Sequence, residues 1–150
     1  MPSLRTPLTV SDEATPEEAQ AVASAALKVL WADLAWVDLD LTGLLETPGT
    51  ADAAGDLLAY RTPKGFGRRG PSDNVRLYPG RHDEALPAAQ VLVGHTIGSS
   101  GFADGDGLIF DANDAGTSCW FELTGQQASD VRATLSRSGL PPTLLSPTQR

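Results

Sequence analysis

From Thr15 onward, apolar residues recur at helical spacing: Val22, Ala26, Val29, Leu30 and Leu34 share one face, with Asp33 its polar exception. Thr15 suits the cap, Pro16 the first helical position, and Glu18 completes a Thr-x-x-Glu capping box. Glu17 and Glu18 also complement the positive end of the helix dipole. The period then changes to two. In WVDLDLT, Val37, Leu39 and Leu41 point one way while Trp36, Asp38, Asp40 and Thr42 point the other, which predicts a half-buried strand. ETPGTADAAGD reads as a loop. Further strands are predicted at Leu57–Arg61, Val75–Tyr78, Gln90–Ile97, Leu108–Asp111 and Thr117–Leu123. A second helix follows, capped by Thr124 with Gln127, lined by Ala128, Val131 and Leu135, and stopped by Gly139, Pro141 and Pro142. Residues 1–14, polar and carrying two prolines, read as a loose arm. Residues 141–150 read as a frayed tail in which Leu144 and Leu145 are the docking points.

Helix, successive strands with short links, helix: this order favours an antiparallel meander over alternating βαβ units. The expected fold is α+β, a single antiparallel sheet of about five to six strands with an N-terminal and a C-terminal helix on one face. A length of 150 residues suits a single domain spanning 1–150.

The one cysteine, Cys119, excludes an internal disulfide. It shares a strand face with Phe121 and Leu123, which suits a small buried hydrophobe. MPSLRTPLTVSDE has no apolar run of the secretory kind, and the most apolar window, 19–37, is broken by Gln20, Lys28 and Asp33. A soluble, cytoplasmic protein with no membrane partner is expected.

Charge is unevenly placed. The chain carries −8 overall. Between residues 61 and 81, however, Arg61, Lys64, Arg68, Arg69, Arg76 and Arg81 meet Asp73 as the only acid, so this stretch is +5 and the remainder −13. TPKGFGRRGPSD, with three glycines and two prolines, has no regular structure in prospect. If Leu57–Arg61 pairs with Val75–Tyr78, it is the tip of a hairpin with Arg61 and Arg76 at its base. Several uses are open to such a loop. It can be a solvated surface loop, a contact for an acidic protein or a second copy of the chain, a grip on single-stranded nucleic acid with Phe66 stacking on a base, or a small-anion site. It matches neither the Walker nor the dinucleotide-binding pattern.

Other candidates weigh less. Asp104, Asp106, Asp111 and Asp114 invite a calcium reading, but counting from Asp104 puts Ala115 where an EF-hand needs glutamate, and turn chemistry explains them better. His95, beside Ser99 and Ser100, raises a hydrolase. GSSG is one residue short of a nucleophile elbow, and alternation places His95 with Val91, Val93 and Ile97 on a buried face. His82, Asp83 and Glu84 are consecutive and suit a solvated turn. Trp31, Trp36 and Trp120 suit the core or its edge, although Trp36 and Trp120 fall on the polar faces of their strands and one could mark a contact. The sequence thus points away from an enzyme, metal or cofactor. It points toward an accessory domain of adaptor, inhibitor or immunity type that binds a protein through Arg61, Lys64, Phe66, Arg68, Arg69, Arg76 and Arg81. Single-stranded nucleic acid is the alternative, and hydrolysis at His95/Ser99/Ser100 the second.

Overall fold

The computed structural model describes residues 4–62, 73–103 and 107–148. Strand β1 (Arg5–Val10) leads into α1 (Pro16–Leu30) and β2 (Trp36–Asp40). After α2 (Ala51–Asp56) come β3 (Asn74–Leu77), α3 (Leu86–Leu92), β4 (Gly98–Phe102), β5 (Leu108–Asn113), β6 (Ser118–Thr124), α4 (Gly125–Arg137) and β7 (Leu145–Pro147). The described strands form one antiparallel sheet in the order β3-β2-β4-β5-β6-β1-β7. The α+β class and the two end helices on one face of the sheet are as the sequence predicts. No described helix is long and apolar enough to cross a membrane.

Both predicted capping boxes form. The Thr15 hydroxyl accepts from the Glu18 N–H at 3.1 Å while the Glu18 carboxylate accepts from the Thr15 N–H at 2.8 Å. Thr124 and Gln127 repeat the arrangement at 3.1 and 3.0 Å. α1 then buries Val22, Ala26, Leu27 and Leu30 on Val37 and Leu39 of β2, Val75 and Leu77 of β3, and Phe110 and Phe121 further across, all in one core. α4 adds Val131 and Leu135, while α2 and α3 extend the same layer with Ala54, Ala89 and Leu92. Apolar burial of this kind, ~25 cal/mol per Å², supplies the main driving force.

Several segments depart from expectation. The arm is strand β1, inserted between β6 and β7; its Leu8 is buried opposite Phe121. Arg5 ties it down, donating to Asp33 at 2.6 Å and Gln127 at 2.8 Å. Pro7 is tolerated because β7 pairs only with Leu8–Val10, so β1 is an edge at that point. The tail likewise docks, with Leu144 and Leu145 buried. The stretch expected as strand Leu57–Arg61 is instead the cap of α2 and a 3₁₀ turn, while ETPGTADAAGD, expected as a loop, carries α2 itself, since Ala51, Ala53 and Ala54 favour helix. Arg61 and Thr62 alone reach β3, Arg61 bridging Val75 and the Thr62 N–H donating to the Asn74 carbonyl at 2.9 Å. Gln90–Ile97, also expected as strand, is instead the last turn of α3 and the turn that follows it. Pro87 opens α3, and Ala85, Ala89, Leu92 and Val93 bury at spacings of three and four. Val91 and Ile97, expected inside, are 47% and 55% exposed.

Candidate interaction site

The four described α-helices share one face of the sheet, so the alternate residues of each strand point to the other. There one row runs in register across the whole sheet: Arg76, Asp38, Ser100, Asp111, Trp120, Thr9 and Ser146. A second row pairs Trp36 with Phe102, whose rings stack at 5.2 Å. The Arg76 guanidinium lies over Trp36 at 5.2 Å and takes both oxygens of Asp38, from Nε at 2.7 Å and Nη2 at 2.9 Å. The bonds to Asp38 raise the Arg76 pKa further above its usual value. The Trp36 Nε1–H is buried without a partner among the described residues.

At the β3 end this face opens into a cleft of about 680 Å³ lined by Asp38, Tyr60, Arg61, Arg76, Tyr78 and His82, with Thr62 and Asn74 at its rim. Its wall is aromatic. The His82 ring lies 4.7 Å from that of Tyr60 and 5.7 Å from that of Tyr78. His82 Nδ1 accepts from the Tyr78 backbone N–H at 3.0 Å, which assigns the proton of the neutral ring to Nε2. The Tyr60 hydroxyl donates to Glu84 at 2.7 Å, lowering the Glu84 pKa and raising that of Tyr60. Arg81 lies over the Tyr78 ring at 5.5 Å. The turn carrying these groups is shaped by Asp83, which accepts from Trp31 Nε1 and the Gly80 N–H, both at 2.7 Å; these bonds hold its carboxyl below the usual range.

Of the residues singled out in sequence, Arg61 and Arg76 meet at this cleft and Arg81 braces its wall. Lys64, Phe66, Arg68 and Arg69 lie outside the described residues. Thr62 and Asn74, described residues to either side of them in sequence, line the cleft. His82 corrects the expectation of a solvated turn, because it is half-buried against two tyrosine rings. Sequence reading also missed Tyr60 and Tyr78. The available signal was that one of the chain's two tyrosines immediately precedes its basic stretch and the other lies within it.

The other candidates are not drawn together. Ser99, 1% exposed, bonds to Thr96 on the helix-covered face, whereas Ser100 donates to Asp111 at 3.1 Å on the opposite one. The His95 ring has a hydrogen-bond contact with Gln20 at 3.5 Å, and among the described residues no hydrogen bond joins it to either serine. Asp111 accepts from Ser100 and Asn113, while Asp114 sits in the β5–β6 turn with φ 53°. Asp104 and Asp106 lie outside the described residues. Among the described residues no three metal-ligating side chains come together. Cys119 is buried, and that burial, with a smaller contribution from the Asp111 charge, pushes its thiol up to about 11. No family model matches the chain, and neither a curated protein nor a solved structure does.

Proposed function

We propose that the protein works by binding a protein partner rather than by catalysing a reaction, and that the contact is the basic face from Arg61 to Arg81. One observation carries the reading. Both tyrosines, a histidine and Arg61, Arg76 and Arg81 gather at one cleft, next to Thr62 and Asn74, described residues to either side of Lys64–Arg69 in sequence. Tyrosine and arginine are the residues that dominate interface energetics, because they offer large rigid contact area and multidentate hydrogen bonding. The charge contrast of +5 against −13 supports an acidic partner, steered in by complementary fields. A single buried thiol suits work in the reducing cytoplasm.

The test is capture of partners by wild type and by an Arg68→Glu/Arg69→Glu variant, followed by direct titration of what is captured. Loss of the partner on charge reversal, with unchanged thermal stability, is the expected result; equal capture by both proteins would sink the reading. Phe66 among cations keeps single-stranded nucleic acid as a second reading. A labelled oligonucleotide bound at low salt, released steeply as salt rises and weakened by Phe66→Ala would favour it.

A further inference from the structure

Within that reading, and resting on it, we infer that the cleft recognises one exposed carboxylate beside an apolar or aromatic side chain, presented by an acidic protein segment. Arg61 is the recognising cation. Its Nε donates to the Leu58 carbonyl at 3.1 Å, which fixes the plane of the guanidinium, and its two Nη groups have no partner among the described residues. A guanidinium held in this way meets a carboxylate with two parallel bonds and little further loss of freedom. Arg76 is less available for that role. Its Nε and Nη2 bond Asp38 and its face lies on Trp36, so it forms the floor. The Tyr60, His82 and Tyr78 rings supply the apolar wall, and Arg81, stacked on the outside of Tyr78, keeps that ring in place.

The choice of a discrete carboxylate over a polyanion follows from the acids around the cleft. Asp38 lines it, Glu84 accepts from Tyr60, and Asp40 ends β2 opposite Asn74. A phosphodiester chain laid through the cleft would carry successive charges past these carboxylates. A folded acidic partner can instead place one carboxylate at Arg61 and neutral groups elsewhere.

A fluorescein-labelled random glutamate–tyrosine copolymer is the probe, read by anisotropy against full-length protein at low and physiological salt, with an unlabelled thymidine oligonucleotide as competitor. Arg61→Gln and Tyr78→Leu should each weaken binding by tenfold or more, with circular dichroism unchanged. If the Arg68→Glu/Arg69→Glu variant loses the copolymer while both cleft variants keep it, the cleft inference falls and the proposed basic contact stands. If none of the variants changes binding, both fall. Displacement of the copolymer by the oligonucleotide at physiological salt would also overturn the carboxylate assignment in favour of a phosphate ligand.

Discussion

Arg76 of β3 stands directly opposite Asp38 of β2 and holds its carboxylate with two near-parallel hydrogen bonds while covering the Trp36 ring. This is a cross-strand pair on the helix-free face, and it joins the outermost strand to the interior of the sheet. The same two residues floor the cleft, so fold and candidate site share a support there.

The pair should couple measurably but not strongly. Its side chains keep 41% and 34% of their exposure, and exposed ion pairs contribute about 0.2–1 kcal/mol. A double-mutant cycle of Asp38→Ala and Arg76→Ala, read from urea midpoints, should give a coupling of about 1 kcal/mol, near the top of that range because the contact is bidentate. Arg76→Lys should recover little of it, since an ammonium can neither fork onto the carboxylate nor stack flat on Trp36.

The Tyr60–Glu84 bond predicts a pH signature with two limbs. Glu84 is held below its ordinary range by the phenol, so this contribution is present above that range and disappears as pH falls through the lowered value. Tyr60 is raised by the same carboxylate, so its contribution is present below the ordinary tyrosine range and disappears as pH rises through the raised value. The stability difference between wild type and Tyr60→Phe should therefore be largest at intermediate pH and vanish at both extremes. Part of the acid limb should survive in the variant, because Asp83 is independently lowered by Trp31 and Gly80. A difference that stays flat from acid to alkali would remove the bond from the account.

Helices α1 and α4 were legible because each carries its own start signal, Thr15 with Glu18 and Thr124 with Gln127, and a face of apolar residues at the right period. Strand β2 was legible from strict alternation. Strand β4 was not, since GSSGF has almost no strand-forming residue. Its composition answers to packing, for a Cβ at Gly101 would lie 2.8 Å from the Leu34 side chain and 3.1 Å from Phe110. α3 was misread because Val91, Val93 and Ile97 alternate like a strand, while the burial that decides its helical form comes from Ala85, Ala89 and Leu92. The cleft was half legible. Charge placed Arg61, Arg76 and Arg81, but Tyr60, Tyr78 and His82 come from a 3₁₀ turn, the end of β3 and the turn beyond, and only tertiary structure brings them together.

Cys119 should report unfolding cleanly. Burial raises its thiol from 9.0 to about 11, so roughly a hundredfold less thiolate is present than in an exposed thiol at neutral pH. Its labelling by a disulfide reagent should be slow in the native protein and rise with urea in step with loss of ellipticity. Because the folded pKa is the higher one, the protonated thiol's contribution is present below pH 9.0 and lost as pH rises through about 11. Fast labelling of the folded chain would mean that Cys119 reaches solvent without global unfolding.

Two small substitutions near one another should act in opposite directions. Gly94 follows α3, where a Cβ would lie 2.6 Å from both Cα and Cγ of Gln20 in α1. The backbone of α1 cannot yield as a flexible side chain can, so Gly94→Ala should cost about 1–3 kcal/mol, the range for overpacking a close contact. Ala115, in the β5–β6 turn, has φ 57°, a left-handed conformation disfavoured for a residue with a Cβ by about 1–2 kcal/mol. Its N–H donates to the Thr96 carbonyl at 2.9 Å, a backbone bond that glycine preserves. Ala115→Gly should therefore stabilise the fold by roughly 1 kcal/mol, the relief being partly offset by the freer unfolded chain. Urea midpoints with unchanged slopes would read both effects. A neutral Gly94→Ala would mean that α1 and the α3–β4 connection sit further apart than 2.6 Å allows. A destabilising Ala115→Gly would mean that the turn does not adopt the left-handed conformation on which the prediction rests.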